Sequence, residues 1–173
     1  MTFRTKAEGG EQALSHPEYL AFLHLILDTD CADLLDIEFF TAGADLPALV
    51  EQAHSAGVAV VCSSHDFARP RPRAELVSRM VQMQQAGADL PKLAVMPRCR
   101  TDVLELLTAT AEMADLHPET PVITMSMGAL GAVSRLAGET FGSAMTFANP
   151  GQASAPGQVP LDIVNEVLNA LHL

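Results

Sequence analysis

The stretch ADLPKLAVMP, residues 88–97, places a lysine at the head of an otherwise apolar run. Ten residues of the chain are basic, yet only Lys6 and Lys92 are lysines and the other eight are arginines. An ammonium is costly to bury unless it is paired or gives up its proton. Lys92 therefore has two readings. A strand-end lysine can lay its stem along apolar surface and keep its charge in water. An amine desolvated in a closed site can instead attack a carbonyl carbon and form an imine. His65, in CSSHDF, is on its own a hydrogen-bonded histidine at a strand end. Beside an imine-forming lysine it becomes a proton-transfer group, since imidazole titrates near neutral pH. Asp36 and Glu38 alternate along LLDIEFF and so share one strand face, either solvated at a sheet edge or aimed inward to orient a base. Cys62 and His65 find no second Cys-x-x-Cys or His-x-His cluster to complete a metal shell, so no metal is expected. A Ser-His-Asp hydrolase is disfavoured because no GxSxG elbow occurs.

These groups need a scaffold. At 173 residues, with 49% apolar and 18% charged residues, the chain fits one globular domain over 1–173. A net charge of −11 argues against nucleic acid or an anionic membrane as partner. No apolar run reaches the roughly 20 residues of a membrane span. MTFRTKAEGG does not read as a signal peptide, and Cys31, Cys62 and Cys99 form no disulfide framework, so a cytoplasmic location is expected. Strand-like runs at 34–40, 58–64, 92–96, 122–127 and 143–148 alternate with amphipathic segments. The segments carry start and stop signals, among them the capping box Ser15-His16-Pro17-Glu18, Asp45 before LPALVEQ, Thr101 before DVLELL, and Pro160 before LDIVNEVL. Gly57 and Gly87 stand where helices would end. The alternation predicts βαβ units and a parallel sheet. GxGxxG and GxxxxGK[ST] are absent, whereas polar residues gather after the strands, as in Ser63-Ser64-His65-Asp66 and GQASAPGQ. That distribution favours a (β/α) barrel, whose functional residues lie at the C-terminal strand ends. Five strands and the stub Met1-Thr2-Phe3 make an incomplete barrel of about six units. ARPRPR, residues 68–73, reads as a proline-stiffened surface loop.

Taken in order, TFRTKAEGGEQ, SSHDF, LPKLAVMP, ITMSM, SRLAGETFGSAMTF and ASAPGQ resemble type I 3-dehydroquinate dehydratase of the shikimate pathway, over nearly the whole chain. The resemblance implies an α/β (β/α)8 TIM barrel, usually a homodimer, that converts 3-dehydroquinate to 3-dehydroshikimate through an imine without a cofactor. It also implies roles. Lys92 is the Schiff-base lysine, His65 the proton donor and acceptor, and Glu8 the carboxylate paired with that histidine, with Asp36 in support. Arg135 grips the substrate carboxylate, and Arg4, Ser154 and Gln158 are further substrate contacts. Intact family members begin with two more strands and most of a third, so the chain is expected to lack the N-terminal part of its barrel. The competing expectations are a catalytically inactive fragment that persists by edge pairing with another chain, and a different lysine-imine barrel such as an aldolase, against which ASAPGQ and SRLAGE speak.

Overall fold

Four runs rich in β-branched and aliphatic residues form one parallel sheet in the computed structural model, which describes residues 1–29, 31–68 and 71–171. They are β1 (Leu34–Glu38), β2 (Ala59–Asp66), β3 (Leu90–Val95) and β4 (Ile123–Ser126), hydrogen-bonded in the order β1-β2-β3-β4. Helix α1 (His16–Asp28) precedes β1, and the one-turn α2 (Phe39–Ala42) follows it directly. The crossovers are α3 (Leu46–Ser55), α4 (Arg73–Gln85) and α5 (Arg100–Leu116), while α6 (Ala132–Leu136) and α7 (Leu161–Leu171) come after β4. Strands joined in sequence order by helices, all parallel, make up an arc of a (β/α) barrel.

The side-chain period of two divides this sheet between two cores. Leu35, Ile37, Val60, Cys62, Leu93 and Val95 face the helices and pack with Leu49, Met80, Met83, Leu106 and Met113 in the larger cluster. The alternate residues Val61, Ala94, Ile123 and Met125, with Met127 just beyond β4, form a smaller cluster on the opposite, inner face. Burial on both faces explains why the strands read as nearly unbroken apolar runs. The polar exceptions on the inner face are therefore conspicuous: Asp36, Glu38, Ser63 and Lys92 are all buried.

Local signals account for most helix ends. The expected capping box opens α1, with the Glu18 carboxylate accepting the Ser15 backbone N–H at 2.8 Å. Leu161 follows Pro160, as expected of a closing helix. The start of α5 differs: the helix begins at Arg100, and Asp102 accepts the N–H groups of Arg98 and Cys99, two residues before the expected cap at Thr101.

The strand count is smaller than the sequence suggested. Residues 143–148 form no strand; Ser143 makes one isolated parallel bridge to Val122. The N-terminal stub likewise pairs through the single bridge Thr2–Asp36. β1 stops at Glu38 because Phe39 already begins α2. Four strands with a bridged segment at each margin thus replace the six expected units, while the barrel class stands. Of the ARPRPR run, Arg69 and Pro70 lie outside the described residues. Arg71 is no free surface group, since its guanidinium donates to Asp66 and Glu75.

Candidate active site

Strand register stacks the polar side chains in levels on the inner face. Glu38, Ser63, Lys92 and Ile123 are successive register partners across the four strands. One level towards the C-terminal ends stand His65, Ala94 and Met125, and one level below the lysine stand Asp36, Val61 and Leu90. A (β/α) barrel presents its chemistry at those C-terminal ends.

There the structure opens a cavity of about 490 Å³. Of the site residues implied by the resemblance, Arg4, Glu8, His65, Lys92, Arg135, Ser154 and Gln158 line it, and Asp36 lies behind the lining. Its apolar wall comes from Met125, Met127, Phe67 and Phe147, to which the sequence assigns no site role. The signal for the two methionines was available, since residues 123, 125 and 127 share one strand face with the lysine's neighbours.

Lys92 is buried, and its Nζ donates to Asp36 Oδ2 at 2.9 Å while lying 4.6 Å from the centre of the Phe147 ring. The snorkelling reading fails here, because the amine ends inside the molecule. Asp36 does not support the Glu8–His65 pair as expected. Its carboxylate accepts from Lys92, from an Arg4 guanidinium nitrogen at 2.7 Å and from Ser63 Oγ at 2.5 Å. Arg4 also binds Glu38 at 3.0 Å and Ser63 at 2.8 Å and lies 3.6 Å from Glu8, so it braces three carboxylates as well as lining the cavity. Glu38 in turn takes the backbone N–H and hydroxyl of Thr5 and the hydroxyl of Thr41, which anchors the N-terminal segment against β1. Ser154 and Gln158 are bonded to each other, Gln158 Oε1 accepting the Ser154 N–H at 2.7 Å.

Arg135 is 1% exposed, and no carboxylate pairs with it among the described residues. Its terminal nitrogens make long contacts of 3.4 Å to Met125 Sδ and to the carbonyls of Phe147 and Pro156, and Nε has no partner. Burial pushes its pKa down. A buried guanidinium without an anion, at the wall of a cavity, is suited to a carboxylate or phosphate on a ligand.

His65 Nδ1 lies 2.9 Å from Glu8 Oε2, and the same oxygen accepts the His65 backbone N–H at 3.1 Å. Burial, then the neighbouring Glu38, pushes the Glu8 carboxyl up to about 8, against Arg4 and the His65 N–H. Burial, then Arg4 and Lys92, pushes His65 down to about 3. The shift on His65 favours the neutral imidazole, the form that can accept a proton.

These shifts give a pH signature with opposite signs. Between 4.5 and about 8 the folded chain keeps a proton on Glu8 that the unfolded chain has released, so stability falls as pH rises through that window. Between about 3 and 6.5 the unfolded chain holds a proton that folded His65 lacks, so there stability rises with pH. Above the ordinary imidazole value Glu8 is joined by His16, whose pKa the hydrogen bond to Asp45 raises. The Glu8 share of the fall in unfolding free energy is expected to be at most about 1.4 kcal/mol per pH unit towards pH 8. Glu8→Gln has no proton to release and is expected to flatten this slope in urea titrations at the two ends of the window. An equal slope in the variant would assign it to other groups.

Among the described residues, no three His, Cys, Asp or Glu side chains are grouped to hold a metal, and no helix is long and apolar enough to cross a membrane.

Comparison with known proteins places this geometry. A family model described as type I 3-dehydroquinase matches residues 1–173. The 3-dehydroquinate dehydratase of Salmonella agona is 48% identical over 171 residues, covering 99% of this chain and 68% of the relative. A Clostridium difficile type I 3-dehydroquinate dehydratase, solved with covalently modified comenic acid, superposes with a TM-score of 0.93 at 46% identity, over 98% of this chain and 67% of that one. The Enterococcus faecalis 3-dehydroquinate dehydratase gives a TM-score of 0.90 at 40% identity, over 99% and 68%. The chain spans about two thirds of the length of these relatives.

Proposed function

The chain belongs to the type I 3-dehydroquinase family, and from that premise we propose that it dehydrates 3-dehydroquinate to 3-dehydroshikimate through an imine on Lys92. The observation that carries this reading is the meeting, in one cavity, of a buried lysine, a histidine whose pKa burial lowers, and a buried arginine that no carboxylate pairs with among the described residues. Lys92 Nζ adds to the C3 carbonyl carbon, the carbonyl oxygen leaves as water, and the nitrogen becomes a protonated imine. His65 takes the C2 proton, and the C–H electron pair moves towards the iminium to give an enamine. Those electrons return to expel the C1 hydroxyl, which leaves as water with the proton from His65. Water then hydrolyses the imine, releasing 3-dehydroshikimate and the free amine. Glu8 orients the imidazole, Arg135 receives the substrate carboxylate, and Ser154, Gln158 and Arg4 complete the binding surface. The site residues meet in an open cavity, which disfavours the inactive fragment. A cytoplasmic setting is in keeping with three free thiols. Association with a second copy, to be checked by sedimentation, has support in Leu161, Ile163 and Leu171, exposed on α7.

Borohydride reduction in the presence of 3-dehydroquinate, followed by mass spectrometry, tests the chemistry. A reduced adduct on the peptide carrying Lys92 is expected, and an adduct elsewhere or none would overturn the reading.

The loop bearing Ser154 and Gln158 is held by a backbone clasp. Gly128 N–H donates to the Pro156 carbonyl at 3.1 Å, and Gly157 has φ +76°. A Cβ on Gly157 would lie 2.3 Å from the Gly128 carbonyl oxygen. Gly157→Ala must therefore push the loop off the cavity, with left-handed strain of about 1–2 kcal/mol added. The expected result is a KM for 3-dehydroquinate raised about tenfold or more, with the melting temperature little changed because the loop is at the surface. Initial-rate measurements at varied substrate would show it, and an unchanged KM would count against a substrate role for this loop.

A further inference from the structure

Asp36 is not part of the cavity lining, yet it binds the reacting nitrogen from behind. We propose that Asp36 is a positioning residue for the dehydration, the fixed counter-ion that aims Lys92 Nζ and stabilises the protonated imine formed there. This rests on the imine reading above.

Geometry is the first support. Nζ and Oδ2 are 2.9 Å apart, and the two side chains are 7% and 4% exposed, so the contact is shielded from water. The carboxylate is itself clamped, with Arg4 on Oδ2 and Ser63 on Oδ1. It cannot swing away without breaking both bonds, and so defines one position for the nitrogen.

Charge is the second support. Glu38 is occupied by Arg4, Thr5 and Thr41, and Glu8 by His65 with its proton retained. Arg4 and Arg135 bring positive charge to the same site. Among the described residues, Asp36 is the carboxylate that hydrogen-bonds Nζ. Burial pushes Asp36 up, but Lys92 and Arg4 outweigh it and hold the group below the ordinary carboxylate range. It therefore stays an anion and is a poor proton acceptor. What it supplies is charge and aim.

Condensation replaces two N–H bonds of a lysine ammonium by C=N and leaves one N–H on the protonated imine. That hydrogen can stay on Asp36 Oδ2 while the carbon side turns to His65, one level nearer the mouth. The electron sink works only while the nitrogen remains positive, and a buried anion at hydrogen-bond distance favours that state.

The test compares the wild type with Asp36→Asn, which is nearly isosteric but uncharged, and Asp36→Glu, which keeps the charge. Each is mixed with 3-dehydroquinate and borohydride, and the adduct on the Lys92 peptide is followed against time beside kcat, KM and thermal melting. Asp36→Asn is expected to slow adduct formation and kcat by about 10²-fold with KM changed less than about threefold, the scale for losing one charge-stabilising group. Asp36→Glu is expected to recover about tenfold of that loss, although its extra methylene fits the buried site less well. Adduct formation at the wild-type rate in Asp36→Asn overturns the proposal. So does an Asp36→Glu as slow as Asp36→Asn at equal folded fraction, which would mark shape rather than charge. If Asp36→Asn does not fold, Ser63→Ala decides, because it frees the carboxylate to turn and keeps its charge. About tenfold slower trapping is then expected, and wild-type trapping overturns the proposal. Absence of a wild-type adduct removes the imine reading and this proposal together; equal adducts in wild type and Asp36→Asn remove this proposal alone.

Discussion

Lys92→Arg is expected to reduce turnover of 3-dehydroquinate by about 10⁴-fold or more, the scale on which loss of a covalent nucleophile acts. Arginine keeps a positive charge and several donors, so the ion pair with Asp36 survives in kind. Its guanidinium stays protonated at any working pH and has no amine to condense with a ketone. The substitution thus separates the covalent role from the electrostatic one. Borohydride should leave no adduct in the variant, while thermal melting should show a folded chain. Lys6→Arg, at an exposed position in the same N-terminal segment as Arg4 and Glu8, is expected to leave rates within about twofold, the ordinary outcome for surface substitutions. Substantial turnover in Lys92→Arg would remove the Schiff-base assignment.

His65→Ala should divide the reaction differently. Removing a general acid–base typically costs about 10²–10⁴ in rate. The lysine and its counter-ion remain, so condensation with the ketone should proceed and the adduct should still be trapped. Glu8 loses its partner on Nδ1 and the His65 side chain leaves a gap, but the backbone N–H of residue 65 still donates to the Glu8 carboxylate. Trapping that survives when turnover fails would place His65 at proton transfer after imine formation. If both fell together in a folded protein, the histidine would be required for condensation itself, and the division of roles proposed above would be wrong.

Much of the scaffold was legible because its signals are local. The βαβ alternation, the glutamate three residues beyond Ser15 and the glycines ending α3 and α4 all act over a few residues. The parity of Asp36 and Glu38, and of residues 61, 63 and 65, follows from a strand period of two and put each set on one face. The failures were also local in form. Residues 143–148 have strand-like composition, yet Ser143 alone bridges to Val122, because a strand exists only where a neighbour supplies a ladder.

The chemical residue types and their order along the chain were thus set by the sequence alone, and they sufficed to identify the family. What the amine touches was not. Lys92 and Asp36 are 56 residues apart and stand on strands that are not neighbours, with β2 between them. Their contact depends on the register that places Lys92 one level above Asp36, and on the reach of a four-carbon stem across Ser63. The sequence put Asp36 with Glu8 and His65, whereas the packed sheet gave it to Lys92 and Arg4. It also left Arg135 buried with no carboxylate partner among the described residues. Such pairings are decided by burial: in a low-dielectric interior each charge must find the nearest group able to satisfy it, and which group is nearest is fixed only when distant strands lie side by side.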